Sequence, residues 1–198
     1  MTIDTKDLLN SILASTSRID YIKPEEIPGI DLYMDQVTTF MDDHLAASKR
    51  FEGDKILTKT MINNYAKNNL LPPPVKKKYS KEHILMLTFI YYFKNILSIS
   101  DTQVLLGPLT EQYFNKKDGF NLTDVYDEIV NIELDQIDPL VKDLIRKFNM
   151  SAESFKDAEE ENQDFLRKFA FICMLSFDVY IKKQVIEKLV DDMSDSNK

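Results

Sequence analysis

Apolar residues recur at three- and four-residue spacing along most of the chain, while two-residue alternation bounded by turn residues is scarce. The pattern predicts a mainly α protein. Leu8, Leu9, Ile12 and Leu13 form one stripe and predict a first helix over 5–14. The two prolines and the glycine of 24–29 then make a connector. A second helix is expected from Asp31 to about Lys49, on Leu32, Val37, Phe40, Met41 and Leu45. Thr58 is placed to cap a third, which turns Met61, Ile62, Tyr65 and Ala66 inward and stops near Asn69. Pro72-Pro73-Pro74 lacks amide protons altogether, so 75–79 is expected as a loop or short extended arm.

Ser80 opens the most apolar helix of the chain, through Ile84, Leu85, Leu87, Phe89, Ile90 and Phe93, and this is the expected centre of the core. Ser100 and Gln103 stand at capping-box spacing and predict another helix start, which Gly107-Pro108 soon ends. Segments 123–136 and 139–148 read as amphipathic helices, with Pro139 suited to a first turn. Glu159-Glu160-Glu161 reads as a solvated face. In a last helix over about 162–190, Phe165, Leu166, Phe169, Ile172, Cys173, Ser176, Tyr180, Ile181 and Leu189 are spaced for a long packed stripe.

With 198 residues, 43% of them hydrophobic and 29% charged, the chain falls in the ordinary folded range. A single cysteine excludes a disulfide framework or a multi-thiolate metal site within one chain, and suggests a reducing compartment. Cys173, between Ile172 and Met174, reads as a small buried hydrophobe. Neither a GxGxxG nor a Walker pattern occurs, and no HExxH or EF-hand spacing is present. The consecutive Asp42-Asp43-His44 would diverge around a helix rather than converge, and His83 reads as a first-turn surface residue. The expectation is a protein that is not an enzyme and uses no cofactor or metal.

The longest apolar runs, 84–93 and 169–177, fall short of the roughly 18 residues of a membrane span. The first residues lack the basic start and apolar core of a secretory signal. A mature protein beginning at Met1, soluble and cytoplasmic, with no membrane partner, is expected.

Charge changes the picture. The net charge is −8, yet between Lys55 and Lys94 eight lysines face one acid, Glu82, a local +7 that leaves −15 on the remainder. Within that segment Thr60, Asn63, Asn64 and Lys67 fall at i, i+3, i+4 and i+7, opposite Met61, Ile62 and Tyr65. Asparagine can bond bidentately to the edge of adenine, and lysine reaches guanine or phosphate; asparagine is also a poor helix former and an odd choice for a merely wet face. Lys76-Lys77-Lys78-Tyr79 adds three cations ahead of an aromatic, with a stiff proline run before them. Lys59, Lys76, Lys77 and Lys78 are the candidate phosphate contacts.

The stretch Leu57-Thr58-Lys59-Thr60-Met61-Ile62-Asn63-Asn64-Tyr65, then Asn69-Leu70-Leu71-Pro72-Pro73, Lys78-Tyr79-Ser80 and Leu97-Ser98-Ile99-Ser100 resembles the winged helix-turn-helix of MerR-type transcription regulators. The resemblance covers about 57–106. The chain is also similar to an uncharacterised family of Gram-positive bacteria described only as a domain of unknown function (DUF1836-like). The resemblance implies an all-α fold, with a MerR-like winged helix-turn-helix core and additional C-terminal helices. It implies an N-terminal helix and connector over 1–30, a DNA-binding region over 31–107, and a helical dimerisation or effector region over 108–198. Residue by residue, it puts Asn63, Asn64 and Lys67 at the groove, Tyr65 near the backbone, and Lys77, Lys78 and Tyr79 on the wing. The partners it implies are double-stranded DNA and a second copy in a homodimer, with any effector undefined. The rival reading is a helical protein-interaction module that has lost DNA binding, whose basic segment meets an acidic partner.

Overall fold

The computed structural model describes residues 22–196, together with Asn10. The helix expected over 5–14 therefore lies outside the described residues, Asn10 aside. The chain is mainly helical, with one small two-stranded sheet.

The connector closes into a 3-10 turn at Pro24–Glu26. Where a helix was expected from Asp31, Leu32–Tyr33 is a short strand, β1, and the helix α1 runs only over Met34–His44. Tyr33 holds an extended backbone and its amide donates to Gln36 Oε1 at 2.9 Å, which starts the helix one turn late. A second 3-10 turn, Ala46–Ser48, follows. Helix α2, Lys59–Lys67, starts as the sequence implies: Thr58 Oγ1 accepts from the Met61 amide at 3.2 Å. Its end is a Schellman motif. Asn69 sits in the left-handed region at φ 55°, the Leu70 amide donates to the Tyr65 carbonyl, and the Asn69 amide donates to the Ala66 carbonyl.

Strand β2, Lys78–Tyr79, pairs antiparallel with β1, Leu32 opposite Tyr79 and Tyr33 opposite Lys78. Ser80 then caps helix α3, Lys81–Phe93. From His83 to Tyr91 every residue of α3 is buried, so the helix has no wet face. Val37 and Met41 of α1, Ile62 and Tyr65 of α2, and Leu70 and Leu71 pack in the cluster around it. Thr88 keeps its hydroxyl satisfied by donating to the Ile84 carbonyl at 3.0 Å.

Helix α4, Ile99–Tyr113, departs from the sequence pattern at both ends. Its cap is Ser98, whose hydroxyl accepts from the Asp101 amide at 3.1 Å while Asp101 Oδ2 accepts from the Ser98 amide at 3.2 Å. Ser100 and Gln103 lie inside the helix. Nor does Gly107-Pro108 end it: the turn around Pro108 loses one amide bond, and a glycine before the proline has no Cβ to clash with the ring. Helix α5 spans Leu122–Asp135, and its Tyr126 hydroxyl donates to the Ile22 carbonyl at 2.8 Å. That bond joins the two ends of the core cluster, which runs from Ile22 to Tyr126 with Ile129 and Val130 against it.

Helices α6, Ile137–Ala152, and α7, Glu160–Ser196, complete the described chain. Contacts divide the molecule into two units, 132–186 in one and 22–131 with 187–196 in the other. Within 132–186, Phe148 meets Phe171 edge to face at 5.5 Å, and Lys147 bridges Asp143 and Asp178. The aromatic pair and the Lys147–Asp178 bridge tie α6 to α7. Among the described residues of this unit, the only buried apolar side chains are Phe148 and Phe171. The stripe expected to pack along α7 is instead largely open: Phe165, Phe169, Ile172, Tyr180 and Ile181 are exposed, and so is Cys173, while Leu166 is half-buried. No described helix is long and apolar enough to cross a membrane.

The observed α4 cap makes a measurable distinction. Ser98→Ala is expected to lower stability by about 1 kcal/mol in urea unfolding, and Ser100→Ala by no more than about 0.5 kcal/mol; the reverse order would restore the cap to Ser100.

Candidate nucleic-acid interface

Two short elements carry the basic segment, and both lie within the unit built around α3. On α2, Thr60, Asn63, Asn64 and Lys67 are exposed while Ile62 is fully buried, so the polar stripe faces solvent as its spacing requires. Lys59 is exposed beside it and is paired with Asp35 of α1. The last turn of α2 is held from behind, where the Gln103 side chain of α4 donates to the Asn68 carbonyl. The Tyr65 side chain points the other way. It is 7% exposed, and burial pushes its phenol above the ordinary value, which places it in the core and not at a backbone-contacting surface.

The arm after the prolines is a tight hairpin. The Val75 amide donates to the Lys78 carbonyl at 3.1 Å and the Lys78 amide returns the bond at 2.9 Å, leaving Lys76 and Lys77 as the two turn residues. Both have positive φ, 51° and 64°. This is the type I′ pattern, whose usual occupants are asparagine and glycine because L side chains resist the left-handed region. Here two lysines occupy it and are exposed at the tip. Lys78 leans back over the Tyr33 ring, its Nζ 5.2 Å from the centroid, so β1 braces the hairpin through both backbone and side chain. Tyr79, next along, is 3% exposed; burial raises its phenol, and it belongs to the core rather than the hairpin surface.

The remaining charges of the segment sharpen its sign. Glu82, its single acid, accepts the Asn115 amide at both carboxylate oxygens, at 3.0 and 2.9 Å. Burial raises the Glu82 carboxyl, opposed by that bond. Lys94 is turned inward, donating to the Ile56 carbonyl at 2.9 Å, and burial lowers its ammonium. The exposed cations of the segment are therefore Lys59 and Lys67 of α2, Lys76 and Lys77 of the hairpin, and Lys55 in the loop before α2. Among the described residues no three histidine, cysteine or carboxylate side chains group as metal ligands, and Asp42 instead pairs with Lys49 at 2.7 Å.

His83, expected at the surface, is 3% exposed beneath the hairpin, edge-on to Tyr79 at 5.4 Å and to Phe114 at 4.9 Å. Its Nδ1 accepts from the Ser80 amide at 3.0 Å, which leaves the neutral ring's proton on Nε2. Nε2 is buried without a complete hydrogen bond. Burial holds the imidazole below its ordinary value, opposed by the carbonyls of Pro73 and Pro72 and by the Asp31 carboxylate. Nothing in the sequence marks this role beyond a histidine three residues after a capping serine.

Among known proteins, a family described as a domain of unknown function, DUF1836, matches residues 22–129. No curated protein matches, and no solved structure matches. The matched segment contains every described residue of the α3 core cluster, Ile22 to Tyr126.

Because the folded state disfavours charge on His83, the unfolded chain binds the proton more readily, and stability falls as pH drops below the ordinary histidine value of about 6.5. A proton on Nδ1 also sets donor against donor at the Ser80 amide. The melting temperature is expected to fall from pH 7.5 to 5.5, and to fall less in His83→Gln, which keeps a capping-box acceptor without titrating. An equal fall in both proteins would remove His83 from the account.

Proposed function

The chain belongs to the DUF1836 family, and from that premise we propose that it is a DNA-binding transcription regulator built on a MerR-like winged helix-turn-helix. In this reading α2 is the recognition helix. Asn63, Asn64 and Lys67 read base edges in the major groove, and Thr60 lies on the same exposed face. Lys59, Lys76, Lys77 and Lys78 hold phosphates, and a homodimer engages a two-part site. Tyr65 and Tyr79 support these surfaces from within the core and touch no DNA.

The observation that carries the reading is the hairpin tip. Two lysines held at positive φ each cost roughly 1–2 kcal/mol relative to a relaxed backbone, where Asn-Gly would cost little. Strain of this kind clusters at functional positions, and the residues that bear it here are long cations exposed at the tip. A phosphate backbone is the partner that such cations, next to an amide-rich helix face, fit best.

The direct test is selection of purified protein on random double-stranded DNA at low and high salt, followed by sequencing. Enrichment of a two-part motif, with affinity falling steeply with salt, is expected; no retention even at low salt would overturn the reading. Alanine at Lys76, Lys77 and Lys78 together is expected to weaken binding to all sequences and to reduce the salt slope by about 3. Asn63→Ala should relax preference at one base position. The Lys76→Asn, Lys77→Gly double variant separates strain from function, since it should gain about 1 kcal/mol or more of stability while losing DNA affinity.

A further inference from the structure

The 132–186 unit presents the largest unexplained surface of the molecule. Along α7, Phe165, Phe169, Ile172, Cys173, Ser176 and Tyr180 are all exposed, and at 100° per residue they share one face of the helix. Phe177 and Val179, 64% and 67% exposed, flank the stripe. Single exposed apolar residues are ordinary, but a contiguous run over roughly 22 Å of helix is not. Among the described residues 132–186 of this unit, Phe148 and Phe171 are the only buried apolar side chains, so α7 contributes far more apolar surface than these residues bury.

The order of the stripe indicates what covers it. Its intervals are four, three, one, three and four residues, a sequence that reads the same in both directions about a point between Ile172 and Cys173. Two identical helices packed antiparallel about a two-fold axis at that point set Phe165 against Tyr180, Phe169 against Ser176, and Ile172 against Cys173. Charge agrees with this direction. Exposed Glu161 precedes the stripe and exposed Lys182 follows it, so antiparallel copies bring these unlike charges within a turn of each other along the axis, while Asp164 is paired within its own helix with Lys168. Parallel copies would set Glu161 against Glu161. Area agrees as well: Phe165, Phe169, Ile172, Phe177, Val179 and Tyr180 are each more than half exposed and together offer roughly 600 Å² per copy, or about 1,200 Å² for a pair, the lower end of a specific interface.

We propose that α7 is the homodimer interface, pairing antiparallel with α7 of a second copy about Ile172 and Cys173. The inference supplies a surface for the dimer assumed above, yet it rests on exposure, spacing and charge and holds whether or not the protein binds DNA.

Sedimentation of the full chain at micromolar concentration tests it, with the expected species at twice the chain mass. Because Cys173 is the single cysteine, a short bis-maleimide should yield a covalent dimer through that residue alone. Phe169→Asp, at an exposed position, should weaken dimerisation by about tenfold or more with helicity retained by circular dichroism. Glu161→Lys should weaken it less, and Lys182→Glu added to that variant should restore it. A monomer under these conditions would overturn the proposal and assign the stripe to a different partner. A dimer that Cys173 does not cross-link, or that survives Phe169→Asp, would overturn it by locating the interface elsewhere. DNA selection on the monomeric Phe169→Asp variant separates the two readings, since retention without a two-part motif leaves DNA binding intact while removing the dimer.

Discussion

A helix buried on every side governs the larger unit. Between His83 and Tyr91, α3 offers no polar face to water, so it is stable only when other elements enclose it. The enclosing elements come from far along the chain in both directions: α1, α2 and the Leu70-Leu71 step before it, α4 and α5 after it. The bond from Tyr126 to the Ile22 carbonyl closes the circuit. The family match over 22–129 takes in all of these elements but the C-terminal end of α5.

The candidate interface depends on that helix for its position. Strand β2 runs directly into the Ser80 cap of α3, so the hairpin cannot move without disturbing the first turn of the core helix. His83 joins the two through its bond to the Ser80 amide and its edge contacts with Tyr79 and Phe114. On the other side, β1 pairs with β2 and continues into α1. The left-handed backbone at Lys76 and Lys77 persists because this surround over-determines it. The recognition-like stripe of α2 is set in the same manner, by burying Ile62 and Tyr65 and by the Gln103 side chain at its last turn.

The other unit shows the opposite balance. Helices α6 and α7 are joined by the Phe148–Phe171 pair and by Lys147 with Asp178, and Phe165, Phe169, Ile172 and Phe177 remain exposed. An ion pair of partly exposed groups adds little to stability. The hydrophobic surface that encloses α3 in one unit is, on α7, left exposed. The antiparallel pairing proposed above would cover it.

Local order was legible from sequence wherever a local interaction decides it. Thr58 and Ser80 as caps, the stop at Asn69, the polar face of α2 and the core character of α3 follow from hydrogen bonds and periodicities spanning four to seven residues. The cap of α4 was misjudged because Ser98-Asp101 and Ser100-Gln103 have equivalent spacing, and only the fold of the preceding turn selects between them. Strand β1 could not be read from two residues whose partner lies 47 positions away. Composition and periodicity by themselves determined an α protein with a basic segment and a chain of amphipathic helices. Which apolar faces close on one another, burying His83 and Tyr79 while leaving Phe169 and Cys173 in water, was decided by tertiary structure alone. The physical reason is that periodicity marks a face as apolar but carries no information about what lies opposite it.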